Sequence, residues 1–207
     1  MPDTSPKLSL PRFPIRWIET LGIPSWDAYF MSMVFLAAMR SPDQETKQGC
    51  VIVDWKSKVT LGTGYNGHPR NSQSVFTDNG ATEIKLPTKR PGKYACMVHA
   101  DTNAIVNCRG SSDNAVVYLP MPPCEVCLGV MANHPTVLVK RIVYLEYRHF
   151  PATEDLAHHL PHITFEQYKG PHPAEALLNA AKYAMLRTTQ SSKLSANSTK
   201  SYSKGAV

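Results

Sequence analysis

The sequence predicts an α/β fold in which one central sheet is sandwiched between helices. Strand-like and helix-like apolar patterns alternate along the chain, the arrangement that leads to a sheet covered by helices. A length of 207 residues suits one domain with a proper core. The composition, 43% hydrophobic and 18% charged, is that of an ordinary globular chain, with no internal repeat.

The elements follow in order. The opening "MPDTSPKLSLPRFPIRW" is proline-rich and lacks the apolar stretch of a secretory signal, so residues 1–20 are read as a loose arm. "SWDAYFMSMVFLAAMRS" (25–41) reads as a helix: Ser25 suits an N-cap, apolar residues recur at near-helical spacing, and Pro42 ends it. "CVIVDW" and "KVTLGTGYN" read as two short strands around a turn at Lys56–Ser57. Residues 66–94 are rich in Gly, Pro and Asn and read as a long loop. A helix is expected from about His99, a buried strand at "AVVYLP", a short helix from "CEVCLGVMANH", and a strand at "VKRIVYLEY". "PHITFEQ" is a further strand candidate, and "HPAEALLNAAKYAMLR" a closing helix. The folded domain is thus expected over 21–187, followed by a disordered Ser/Thr/Lys-rich tail over 188–207.

The formal charge of +6 is unevenly placed. The tail carries three lysines and no acid, and residues 1–16 carry a net +2, which leaves about +1 for the remainder. A nucleic-acid binder needs a basic face on the fold itself, so neither a nucleic-acid partner nor a base editor acting on a polynucleotide is expected. No run of 18 apolar residues suggests a membrane span. The five cysteines are odd in number and no signal precedes them, which favours a reduced, cytoplasmic protein over a secreted disulfide scaffold. Cys50 and Cys108 read as small buried hydrophobes.

The chemistry-bearing residues are His99, Asp101, Cys124 and Cys127, in "MVHADTNAIVNC" and "PMPPCEVC". One imidazole and two thiolates suit Zn²⁺, and three protein ligands leave a fourth position for water, as in a catalytic site. Both ligand groups fall at predicted helix starts, where a thiolate is favoured, and Pro122 and Pro123 fix the backbone before the pair. A CxxC alone also suits a redox pair or half of a structural zinc site. The order His, acid, proline-led CxxC is that of a zinc deaminase signature.

The blocks "SWDAYFMSMVFLAAMRS", "VIVD", "GYNGHPR", "HADTNAIVNCRG" and "PMPPCEVC" together resemble, in order, the deoxycytidylate (dCMP) deaminase family over residues 26–147. The resemblance implies a cytidine deaminase-like three-layer sandwich, with a central five-stranded mixed sheet flanked by helices. It implies zinc-dependent hydrolysis of dCMP to dUMP and ammonia, supplying thymidylate synthesis, in a homohexamer with dCTP and dTTP as effectors. Zinc would be held by His99, Cys124 and Cys127, and Asp101 would move protons to the base and the leaving amine. Asn66 is matched to the sugar-binding asparagine, with a turn role the alternative. Arg40 and Ser41 match positions near the substrate phosphate, which a guanidinium and a hydroxyl suit. Ala100 and Pro123 are expected at the base, Tyr147 over the nucleotide, and Asn103 and Ala104 in helix packing and support.

Two departures from the family stand out. The family reads His-Ala-Glu where this chain reads His-Ala-Asp, a carboxylate on a stem one methylene shorter. A shortfall of about 1 Å can cost on the order of 10²-fold in rate, so a weakened, nucleotide-binding or regulatory relative is the alternative to a full enzyme. After "GYNGHPR" the family's Gly-Cys-Ser-Asp is replaced by "NSQS", which bears on the effector site. Cys96 and His68 are too few donors for a second metal site. His158, His159 and His162 in "AHHLPH" read as surface histidines.

Overall fold

A computed structural model describes residues 24–43, 45–70, 75–76, 82–83, 96–173 and 177. The expected arm, the basic tail, the "NSQS" segment and most of the closing helix lie outside the described residues. The elements below belong to the unit Trp26–Asn179.

Helix α1 (Trp26–Ala38) is followed by β1 (Gly49–Asp54) and β2 (Val59–Tyr65). A two-stranded ribbon, β3 (Val75–Phe76) with β4 (Thr82–Glu83), lies in the region expected to be all loop. Then come α2 (Ala100–Val106), β5 (Ser112–Leu119), α3 (Glu125–Ala132), β6 (Val137–Tyr144), α4 (Pro151–His158) and β7 (Thr164–Gln167). The main sheet has five strands in the order β2-β1-β5-β6-β7. β1 pairs antiparallel with β2 and β5, while β5–β6 and β6–β7 are parallel, so the sheet is mixed as expected.

The three layers follow from the period of a strand. Successive side chains point to opposite faces, so a strand buried on both sides must be apolar throughout. In β1, Cys50 and Ile52 face one core, and Val51 and Val53 the other. β5 divides likewise, with Ala115, Val117 and Leu119 opposed to Val116 and Tyr118. The first core is closed by Ala104 and Ile105 of α2 and Leu128 and Met131 of α3, with Leu156 and Ala157 of α4 at its margin. The second is closed by Phe30, Met31 and Val34 of α1. Burying one such side chain is worth about 1.5–3 kcal/mol. A polar tie supplements that packing: Asp27, in the first turn of α1, accepts from Tyr118 of β5 and from Arg141 of β6, each at 2.5 Å.

The turn between β1 and β2 spans residues 55–58 and closes on Lys58, whose φ is +61°. Cys50 is fully buried, and Cys108 is partly buried against the core. No helix among the described residues is long and apolar enough to cross a membrane.

Candidate active site

Two helix starts meet beside the ends of β5 and β6. His99 is the N-cap of α2 and Cys124 the N-cap of α3, both with extended backbone and neither spending its side chain on a capping hydrogen bond. Each helix is closed at its start through main chain instead, Asn103 N–H to His99 C=O and Leu128 N–H to Cys124 C=O, both 2.9 Å. The imidazole and the thiol therefore remain free for each other. Cys127 lies three residues on, one turn into the same helix and on the same face.

His99 Nδ1 lies 3.5 Å from Cys124 Sγ and 3.4 Å from Cys127 Sγ, and all three donor atoms fall within 4.8 Å of one another. One ring nitrogen has one lone pair or one proton, so it cannot hydrogen-bond both sulfurs equally. A tetrahedral ion with Zn–S of about 2.3 Å and Zn–N of about 2.0–2.1 Å holds nitrogen and sulfur about 3.5 Å apart. The donor set therefore fits zinc in both kind and spacing. It is the one group of three metal-ligating side chains among the described residues, and neither Cys96 nor His68 joins it.

The charges are arranged accordingly. Hydrogen bonding from Cys127, and then from His99, pulls the Cys124 thiol down to about 4. Donation to Cys124, together with burial, pushes Cys127 well up. The Cys124 sulfur raises His99 above the ordinary histidine value. The two sulfurs and the imidazole thus share hydrogen bonds that favour the thiolate at Cys124 and the proton at Cys127 and His99.

Asp101 sits in the first turn of α2 and is only 6% exposed. Burial holds its carboxyl above the usual carboxylate range, against the pull of hydrogen bonds from Cys127 and from the Thr102 N–H, the latter at 2.9 Å to Oδ1. The Thr102 hydroxyl lies 3.2 Å from Cys127 Sγ. The carboxyl thus lies beside the metal-type donors, hydrogen-bonded to one of them, Cys127.

These groups line a cleft of about 240 Å³. Ala100 and Pro123 also line it, beside His99, Asp101 and Cys124, while Cys127 lies buried behind. Asn66 also lines the cleft, but its amide is already engaged. Nδ2 donates to Asp43 Oδ2 at 3.1 Å and to the Thr46 carbonyl at 2.9 Å, and Oδ1 accepts from Gln48 N–H at 2.7 Å. One lone pair on Oδ1 remains for a ligand.

The residues matched to the phosphate stand elsewhere. Ser41 is buried and donates to the Asn66 carbonyl at 2.8 Å, a supporting contact behind the cleft wall. Arg40, at the outer end of α1, is exposed and does not line the cleft. Tyr147 is 59% exposed, outside the cleft lining, and its hydroxyl donates to Glu154 at 2.6 Å. Asn103 donates to the Tyr65 carbonyl at 2.9 Å and Ala104 is fully buried, both holding α2 on β2. Sequence reasoning missed Asp43, Gln48, Arg148 and Phe150 as cleft residues. None belongs to a spaced motif, and only the fold brings them together.

The comparisons agree with this geometry. The family model for the cytidine and deoxycytidylate deaminase zinc-binding region matches residues 24–146. Human deoxycytidylate deaminase is 33% identical over 135 residues, 64% of this chain and 71% of that protein. A probable deoxycytidylate deaminase of Drosophila melanogaster is 36% identical over 126 residues, 58% of this chain and 59% of that protein. The crystal structure of dCMP deaminase from the cyanophage S-TIM5, in complex with dCMP and dUMP, superposes with a TM-score of 0.53 at 21% identity, covering 70% of this chain and 98% of that one. With a mixed five-stranded sheet, a His/Cys/Cys group at two helix starts and a family match over more than half its length, this chain belongs to the cytidine and deoxycytidylate deaminase family.

Proposed function

We propose that this protein is a zinc-dependent hydrolase that converts dCMP to dUMP and ammonia. The observation that carries the reading is the approach of His99 Nδ1 to both sulfurs at metal-ligand spacing, with the buried carboxyl of Asp101 in the same cleft. Relatives named deoxycytidylate deaminase support the choice of substrate. His99, Cys124 and Cys127 would hold the zinc, which supplies the Lewis acidity that makes water a competent nucleophile at neutral pH. The chain's own groups do the rest. Replacing the 4-amino group by oxygen requires a proton delivered to N3 of the ring and another to the departing amine. Asp101, with its affinity for protons raised by burial, is suited to take a proton from water and pass it on. Ala100 and Pro123 form apolar walls for the ring, and the free lone pair of Asn66 suits a sugar hydroxyl.

A weakened enzyme is the second reading, and one contact favours it. Asp101 Oδ1 accepts from the N–H of its neighbour Thr102, which turns the short carboxylate toward its own helix start. A glutamate would reach one methylene further into the cleft.

Steady-state deamination of dCMP by the zinc-loaded protein tests both readings, beside the Asp101→Asn and Asp101→Glu forms. Turnover that Asp101→Asn abolishes supports the first reading. Turnover only in Asp101→Glu, or a gain there on the order of 10²-fold, supports the second. No turnover in any form with metal bound rules out dCMP as substrate.

A further inference from the structure

Strand β1 opens beside the cleft, and its alternation fixes where the residue before it points. A Cβ on Gly49 would strike the Val34 carbonyl of α1, so position 49 faces α1. Cys50 faces the opposite core, the one that holds Ala100 and Ala104 of α2. Pairing with the neighbouring strand continues one residue further, since Asn66 N–H donates to the Gln48 carbonyl at 3.1 Å. Gln48 therefore shares the face of Cys50, points toward the start of α2, and lines the cleft.

Two side-chain amides line the cleft among the described residues, those of Asn66 and Gln48. That of Asn66 is engaged except for one lone pair on Oδ1. Gln48 meets the same oxygen through its main chain, its N–H donating to Asn66 Oδ1 at 2.7 Å. The half-buried Gln48 side-chain amide makes no hydrogen bond among the described residues. A ligand hydroxyl that takes the free lone pair of Asn66 Oδ1 shares its acceptor with the Gln48 N–H, and is thereby held next to Gln48. The Gln48 amide then offers both a donor and an acceptor to the group that neighbours this hydroxyl.

We propose that the Gln48 amide binds the 2′-hydroxyl of a ribose, so that the cleft takes cytidine 5′-monophosphate (CMP) as well as dCMP. The assignment rests on the dCMP reading above, with the 3′-hydroxyl on Asn66. In ribose the 2′-hydroxyl stands next to the 3′-hydroxyl and, like an amide, both donates and accepts. A deoxyribose sets a methylene there instead. The half-buried amide then stays open to water, so dCMP is still bound, while ribose gains a hydrogen bond worth about 3- to 10-fold in affinity.

The test is equilibrium binding of CMP and of dCMP to the zinc-loaded full chain and to its Gln48→Leu and Gln48→Met forms, with turnover measured beside it. Both variants keep the bulk of the side chain and remove the amide. The expected result is that the unmodified protein binds both nucleotides, and that the ratio of the CMP Kd to the dCMP Kd rises about 3- to 10-fold in each variant. A ratio that is unchanged or falls, or an unmodified protein that binds dCMP and not CMP, overturns the assignment while leaving the deaminase reading intact. The expected ratios without turnover of either nucleotide uphold Gln48 and remove the enzymatic reading. An unmodified protein that binds neither nucleotide removes both.

Discussion

The hydroxyl of Thr153 donates to the carbonyl oxygen of Pro123 at 2.9 Å, a buried contact between residues 30 apart in sequence. It joins the first turn of α4 to the residue just before Cys124. The short α4 thereby holds the loop that carries a metal-type ligand, and through Glu154 it also holds the segment that carries Arg148.

Thr153→Val keeps the shape of the side chain and removes the donor. A buried carbonyl left without its partner costs about 1–3 kcal/mol. The expected outcome is a lower Tm and weaker zinc retention against a chelator, with Thr153→Ser close to the unmodified protein. Unchanged zinc retention in Thr153→Val would break the link from α4 to the site.

Gly64 of β2 lies against the main chain of α2. A Cβ there would overlap the Ala100 carbonyl and the Ala104 backbone, with Ala104 Cα 2.9 Å away. Backbone on both sides cannot yield as a flexible side chain would. Gly64→Ala must therefore push α2 outward, at a cost of about 1–3 kcal/mol or more. Because α2 begins at His99, the shift reaches the site as well as the core. The expected outcome is loss of both stability and zinc affinity, read by thermal melting and metal titration. Full zinc affinity in a merely destabilised Gly64→Ala would show that the helix start is held independently of β2.

These two contacts show what was and was not legible in the sequence. The central strands β1 and β5 were legible because burial on both faces demands continuous apolar runs such as "CVIVD" and "AVVYL". His99, Cys124 and Cys127 were legible because metal ligation imposes a spacing. Helix α4 was not: its inward face is only Thr153 with the half-buried Leu156 and Ala157, too short a pattern to stand out, and Pro151 at its start was the available signal. Its histidines drew attention as a cluster instead. Arg148 has no spacing signature, and it reaches the cleft only because β6 exits beside Leu119 and Pro120. Arg40 and Ser41 were matched together as adjacent residues, and burial at this helix end separates them, Ser41 being buried and Arg40 exposed.

Zinc binding and protonation should be coupled. Hydrogen bonding favours the thiolate at Cys124, while Cys127 and His99 are both shifted toward keeping their protons. Metal ligation requires both to give up their protons. Loading zinc at neutral pH should therefore release at least about one proton per ion, and apparent affinity should fall on acidification. Titration in a weakly buffered solution with a pH indicator measures the release. A Tm raised by zinc at neutral pH should fall back toward the metal-free value in acid. Zinc binding without proton release would mean that Cys127 is not a ligand.

Asp54 closes the strand turn with three hydrogen bonds. Ser112 Oγ donates to Oδ1 at 2.6 Å, and Ser57 donates its hydroxyl at 2.5 Å and its N–H at 2.7 Å to Oδ2. The Ser112 bond, followed by those from Ser57, lowers the carboxyl from the ordinary 3.8 to about 2. A group with a depressed pKa in the folded state stabilises the fold fully above its unfolded value, and that contribution is lost as pH falls through the folded one. The stability difference between the unmodified protein and Asp54→Asn should therefore be constant above 3.8, narrow below it and vanish below about 2. Urea midpoints for the two proteins across that range check it, and the difference between them cancels the carboxylates they share. A difference that persists undiminished at the acid end would mean that the serine hydroxyls favour the carboxylate no more than they favour the amide.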